Sequence, residues 1–273
     1  MTKPTVGFIG LGSQGGAMAQ RIIDAGFPTW LWARRPESLT PYAGTAAKTA
    51  ATLTELGKTC DHIGICVLDD AGVIAICDAL LPAMRPGSIV VIHSTILPAT
   101  CITLAARFAE RGIALIDAPV SGGGQGATDG TLTVMVGGEA QAVAAARPVF
   151  ESFAGLILHL GPIGAGQNAK LVNNTLMAAN MALADAALAV AAALHIDRTA
   201  FIDLIKVSSA RSFAFDVRAR LPDAAMFTHG AMLLAKDLGL LGAVLGPDHS
   251  FAPLRDAAQP FLDRITKPKG ATS

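Results

Sequence analysis

The 273-residue sequence is short of the residues that several kinds of functional centre need. Its four cysteines, Cys60, Cys66, Cys77 and Cys101, form no CxxC pair and have no histidine at metal-ligand spacing. They read as buried reduced thiols, which excludes a disulfide framework and a zinc site, so no metal is expected. There is a single tyrosine, Tyr42, and no YxxxK pair, so tyrosine–lysine acid–base chemistry is not available. Neither charge dominates: 21 basic side chains face 21 acidic ones. That balance gives no general attraction to nucleic acid or to an acidic membrane surface. One apolar stretch could be mistaken for a membrane span. The most apolar stretch, Met177 to Leu194, is mostly alanine and contains Asp185, so it reads as a buried or subunit-interface helix. Met1-Thr2-Lys3-Pro4 leads straight into an apolar run, so no signal peptide is expected and the location implied is cytoplasmic.

What the chain has in quantity is glycine, 28 residues, and the first of them are the most informative. An apolar run from Val6 to Ile9 meets Gly10-Leu11-Gly12-Ser13-Gln14-Gly15, a helical stretch follows to about Ala25, and a second apolar run, Thr29 to Ala33, closes on Arg34-Arg35. The order is strand, glycine turn, helix, strand. Gly10 permits the turn, Gly12 lets the backbone approach a pyrophosphate, and Gly15 lets the helix pack on the strand. The helix N-terminus offers unpaired N–H groups to phosphates. An acidic residue normally ends the second strand and accepts from the adenosine ribose 2′-hydroxyl. Here Ala33, Arg34 and Arg35 stand instead, and a guanidinium suits a 2′-phosphate, so NADP(H) is expected in preference to NAD(H). The bland alternative is that both arginines are solvated surface charges.

Short β-type runs alternate with helical patterns to about residue 160, the signature of βαβ units: Thr5–Ile9, Thr29–Trp32, His62–Val67, Ser88–His93, Ala114–Asp117, Thr131–Gly137 and Leu156–Leu160. From Gln167 onward Ala/Leu-rich helical spacing takes over. The expected fold is therefore α/β, with an N-terminal Rossmann-type doubly wound and largely parallel sheet over residues 1–162. A long linking helix and an all-α domain follow over 163–273, with the break at Gly161 to Gly166.

Three further segments carry polar groups that this layout would bring to one cleft. Asp117-Ala118-Pro119-Val120-Ser121-Gly122-Gly123-Gly124 places a glycine-rich loop after a strand. Its backbone N–H groups and the Ser121 hydroxyl could hold a carboxylate, although such a run also fits a flexible turn. In the second segment, Gly166 to Asn174, Lys170 and Asn174 are four residues apart and share a helix face. A helix N-terminus and a nearby oxidised nicotinamide both disfavour an ammonium, which would poise the Lys170 amine for proton exchange. On spacing alone, a surface lysine on an amphipathic helix is the favoured reading. In the third, Lys236-Asp237-Leu238, a lysine could reach a bound cofactor or simply be exposed.

Together these segments, with Met18-Ala19, Gly126-Ala127, Gly130 to Thr133, Gly137-Gly138 and Leu240, resemble the β-hydroxyacid dehydrogenases over nearly the whole chain and in the correct order. The family includes 3-hydroxyisobutyrate dehydrogenase and the glyoxylate/succinic and tartronate semialdehyde reductases. The resemblance implies that Lys170 is the general acid/base, that Ser121, Gly122 and Gly123 hold the substrate carboxylate, and that Asn174 orients the substrate. It also implies that Thr95 lies near the nicotinamide, that Leu68 and Asp69 line the cofactor groove, and that Lys236 touches the cofactor. Arg34 matches the arginine of NADP-using relatives. Gln14 stands where the family usually has Met, Asp69 where it often has Pro, and the sequence ends soon after Lys267-Pro268-Lys269.

The expected activity is hydride transfer between NADP(H) and a small carboxylate-bearing carbonyl compound or hydroxy acid, in a homodimer or homotetramer. The alternatives are a non-catalytic NADP(H)-binding sensor or scaffold and an imine reductase-like enzyme, although imine reductases generally lack a lysine at the position of Lys170. His93, His159 and His195 have no context for a catalytic histidine. Substrate choice would fall to second-domain residues such as Arg211, Phe213, Phe215 and the Asp248-His249-Ser250-Phe251 stretch, none of them diagnostic.

Overall fold

The computed structural model describes residues 3–246 and 249–267, so Met1-Thr2, Asp248 and Pro268-Lys269 lie outside the described residues. The chain forms two compact units, Met1–Lys170 and Leu171–Ser273.

The first unit is a nine-stranded sheet with helices on both faces. Its strands are β1 (Val6–Ile9), β2 (Thr29–Trp32), β3 (Lys48–Thr49), β4 (His62–Ile65), β5 (Ile89–Ile92), β6 (Ala114–Asp117), β7 (Val120–Ser121), β8 (Leu132–Gly137) and β9 (Ala154–Gly161). The spatial order is β3-β2-β1-β4-β5-β6-β8-β7, with β9 paired to β8. Neighbours from β3 to β6 are parallel, β8 runs antiparallel to β6 and to β7, and β9 follows β8 in parallel. The central strands are buried along their length, as a sheet covered on both faces requires. Successive side chains point to opposite faces, which divides the core in two. Val6, Phe8 and Val91 pack with Met18, Phe150 and Phe153, whereas Ile9, Ile63, Ile65 and Ile92 pack with Leu80 and Phe108.

Two strands escape the sequence reading, β3 and β7, because two residues are too few to show a period. One expectation needs correction. The Ser-Gly-Gly-Gly segment is not a free loop: Ser121 closes β7 in register with Thr133, and helix α5 (Gly123–Asp129) follows at once. Helix α1 (Ser13–Asp24) packs against α5, and the buried Gly126 and Ala127 make the glycine-rich stretch helical by tertiary packing.

The second unit is helical throughout its described residues. Helix α7 (Ala165–Ala193) runs into it from the first unit, and α8 (Arg198–Val207), α9 (Phe213–Ala219), α10 (Thr228–Leu245) and α11 (Ala252–Thr266) follow. Their core includes Leu171, Met181, Leu234, Leu241, Phe261 and Leu262. By length and composition alone, α7 and residues 224–245 could cross a membrane. Yet α7 carries Asp185 at mid-length, 2.7 Å from the buried Arg218 guanidinium and also bonded to Arg264. Burial by itself would raise the Asp185 carboxyl, but the bonds from the two arginines hold it below its usual range.

Candidate functional site

Five sequence-predicted segments follow the C-terminal ends of β1, β2, β4, β5 and β6, and so lie along one edge of the first unit's sheet. The strand order reverses at β1, between β2 and β4, which is where open α/β sheets form a ligand crevice.

At the β1 end, Gly10 takes φ +93°, and a side chain there would overlap the Cys66 carbonyl. A side chain at Gly15 would overlap the Gly10 carbonyl, so glycine alone lets α1 start this close to the turn. Gly12 differs, because a Cβ there would meet nothing within 4 Å. Internal packing therefore gives no reason for glycine at 12, whereas close approach of a phosphate does. Helix α1 also has no side-chain cap, which leaves its first-turn N–H groups available to an anion. Leu11 and Gln14 are half-buried beside this turn and Ser13 is exposed. The donor set fits a dinucleotide pyrophosphate.

At the β2 end, Ala33 is half-buried and Arg34 and Arg35 are exposed. After β4, Leu68 is 67% exposed. Asp69 has a local task, since its carboxylate accepts the Gly72 N–H at 2.9 Å and caps helix α3 (Asp70–Leu80). A proline could not supply that side-chain cap. Half-buried Thr95 follows β5, between the buried Ser94 and Ile96.

Ser121 is half-buried, and the backbone after it turns through Gly122 at φ +131° and Gly123 at φ +66°. A side-chain carbon added at Gly124 would come within 2.6 Å of Ser13 Oγ. The segment read as a carboxylate site thus lies directly against the first residue of the dinucleotide helix.

Lys170 and Asn174 are both half-buried on one face of α7. Asn174 Nδ2 donates to Asp237 Oδ2 at 2.6 Å. The Asp237 side chain is only 4% exposed, and its Oδ1 lies 3.1 Å from Lys236 Nζ, an ion pair angled out of hydrogen-bond geometry. Sequence reasoning singled out Asn174 and Lys236 but missed the aspartate that links them. It also missed Asp117 and Gln167, both fully buried, as polar groups with a structural task. An acid closing an otherwise apolar strand was the available signal.

Some of the other candidates lie in the core. Phe215 is buried against Phe201, and Phe251 lies in the helical core, while Phe213 is exposed and Arg211 lines a cavity with Asn180 and Ser212. His93 packs among Phe8, Phe150 and Phe153 and donates from Nδ1 to the Ala118 carbonyl at 2.8 Å. Burial pushes the ring down to about 4, opposed by that bond, so it is a neutral core histidine. Burial pushes the thiols of Cys60 and Cys66 up to about 12 and about 11. Among the described residues, no group of three or more His, Cys, Asp or Glu side chains could hold a metal.

Comparison with known proteins agrees along the chain. Residues 5–161 match the model of the NAD-binding domain of 6-phosphogluconate dehydrogenase, and residues 164–271 match that of the NAD-binding region of NADP-dependent 3-hydroxyisobutyrate dehydrogenase. An NAD-dependent L-serine dehydrogenase of Pseudomonas aeruginosa is 34% identical over 93% of this chain and 89% of its own. The mitochondrial 3-hydroxyisobutyrate dehydrogenase of Mus musculus is 30% identical over 88% of this chain and 75% of its own. A solved structure of the Mycobacterium tuberculosis 3-hydroxyisobutyrate dehydrogenase with L-serine superposes with a TM-score of 0.85 at 28% identity, covering 96% of this chain and 94% of that one.

Proposed function

Because this chain belongs to the β-hydroxyacid dehydrogenase family, we propose that it interconverts a small β-hydroxy acid and the matching aldehyde or keto acid with NADP(H), using Lys170 as general acid/base. Membership makes it a nicotinamide-dependent oxidoreductase acting on CH–OH groups. The observation that supports the finer reading is the packing of the Ser121–Gly124 segment against Ser13, at the start of the dinucleotide helix.

When bound, the nicotinamide supplies or accepts the hydride. The Ser121 hydroxyl and the N–H groups of Gly122 and Gly123 donate to the substrate carboxylate. Lys170 Nζ gives a proton to the carbonyl oxygen during reduction and takes the hydroxyl proton during oxidation. Asn174, held by Asp237, orients the substrate oxygen, and Thr95 borders the nicotinamide. Arg34 and Arg35 select NADP(H) by pairing with the 2′-phosphate, where a ribose-binding acid would repel it.

The enzyme works as a soluble, cytoplasmic homodimer or homotetramer. Val172, Leu176, Leu183 and Val190 lie within about 40° of one another on α7 at 3.6 residues per turn, and each is between 48% and 61% exposed. A second copy is the natural cover for such a stripe.

The test is oxidation of NADPH and, in parallel, NADH against a panel of short aldehyde and keto acids. Turnover of one member with NADPH is expected to fall by roughly 10²–10⁴-fold in Lys170→Met, with NADPH binding retained. Near-normal turnover in the variant overturns the role of Lys170, and preference for NADH overturns the cofactor assignment.

A further inference from the structure

The most heavily bonded buried acid in the first unit has no assigned task. Asp117 closes β6 and is fully buried, and backbone N–H groups bond both of its carboxylate oxygens. Its Oδ1 accepts the Gly164 N–H and its Oδ2 accepts the Gln167 N–H, both at 2.7 Å. The first turn of α7 therefore supplies the positive end of a dipole to a buried carboxylate. Burial pushes the Asp117 carboxyl up, against the pull of these N–H bonds.

The approach is close enough to exclude side chains. A Cβ at Gly166 would overlap the Met135 carbonyl and come 2.9 Å from Asp117 Oδ2, and one at Gly137 would overlap Asp117 Oδ1. Gln167, also fully buried, extends the grip. Its Nε2 donates to the Ser94 carbonyl at 2.8 Å, and its Oε1 accepts the Ile96 N–H at 3.2 Å. Those two backbone groups flank Thr95. Ser94 Oγ in turn accepts the Val67 N–H at 2.8 Å, beside Leu68. One buried network thus joins the ends of β4, β5 and β6 to the turn of α7 that precedes Lys170 by three residues, and Asp117 itself stands four residues before Ser121.

From this geometry we infer that Asp117, with Gln167, is the positioning residue for Lys170: it clamps the first turn of α7 to the sheet edge and so sets the lysine against Thr95 and Ser121. The inference rests on the proposed role of Lys170. The two polar anchors fix the direction of the turn, which non-directional apolar packing does not, and acid–base catalysis is sensitive to displacements of about 1 Å.

The test compares Asp117→Asn, which keeps the shape but opposes an amide N–H₂ to a backbone donor, with Gln167→Met, which removes the Thr95-flanking bonds and keeps the carboxylate. In each, kcat for the active panel member is expected to fall roughly 10–100-fold, while KM and the NADPH Kd stay within about threefold. The solvent deuterium isotope effect on kcat is expected to rise as proton transfer becomes slower. A purely structural role would lower thermal stability and leave kcat per NADPH-binding site and the isotope effect at wild-type values; that result overturns the inference. If Asp117→Asn does not fold, Gln167→Met decides by the same criteria. Lys170→Met separates the two levels: if it retains turnover, the reading of the function falls, whereas an inactive Lys170→Met beside fully active clamp variants removes only the clamp.

Discussion

Acidification from pH 8 to pH 5 should remove about 4 kcal/mol that two histidines, buried in neutral form, contribute to the stability of the first unit. Burial and the neighbouring His93 push His62 down to about 3, and burial pushes His93 down to about 4. Unfolded histidine titrates near 6.5, so between that value and the folded ones the unfolded chain binds more protons than the native chain. Stability is therefore fully present above about pH 7 and is lost as pH falls through 6.5 toward 4 and 3. At pH 5 an unfolded histidine is almost wholly protonated and both native ones are almost wholly neutral, which is about 2 kcal/mol for each. The assay is built into the sequence, since the two tryptophans, Trp30 and Trp32, both lie on β2 and their fluorescence reports this unit alone. Urea unfolding at pH 8 and at pH 5 should show a loss about 2 kcal/mol larger in wild type than in His93→Gln, which retains an amide donor for the Ala118 carbonyl. Asp117 acts in the opposite sense, because a raised carboxyl pKa favours the native state at lower pH, but it is common to both proteins and cancels in the comparison. An equal pH-dependent loss in the two proteins would refute this account of the buried pair.

Three further outcomes are expected. Arg34→Ala with Arg35→Ala should weaken NADPH binding roughly 10–100-fold, the worth of a charge-assisted bond or two, and NADH binding by less than about threefold; equal losses would return both arginines to the status of surface charges. Ser121→Ala should raise KM for the carboxylate substrate about 5–20-fold with little change in NADPH Kd, and an unchanged KM would remove the anion site. Leu183→Glu with Val190→Glu should convert the assembly to monomers in sedimentation velocity. A wild-type sedimentation coefficient would show that the α7 stripe is not the subunit interface.

Much of this was legible in the chain. The Gly10-x-Gly12-x-x-Gly15 spacing, the alternation of β-type and helical runs, and the change to Ala/Leu periodicity after Gln167 are local patterns, and backbone sterics and burial act on them locally. The arginines in place of an acid after β2 are equally local, since a single side-chain charge decides what may lie beside it. Other features depend on parts of the chain that meet only on folding. Ser121 ends a strand rather than entering a free loop because Thr133, twelve residues later, pairs with it, and Gly123–Asp129 is helical because α1 lies against it. Asp69 proves to be a helix cap rather than only a departure from a family pattern. Asp117 could be seen in the sequence as an acid at the end of a buried strand, but its partners at Gly164 and Gln167 lie 47 and 50 residues away. Asn174 and Asp237 are 63 residues apart. The sequence by itself determined the fold class and the chemical groups on offer, because propensity, periodicity and charge are properties of neighbours along the chain. Only the tertiary structure decided which acid holds which helix, because a hydrogen bond between distant residues depends on where the folded backbone brings them, and no local pattern carries that distance.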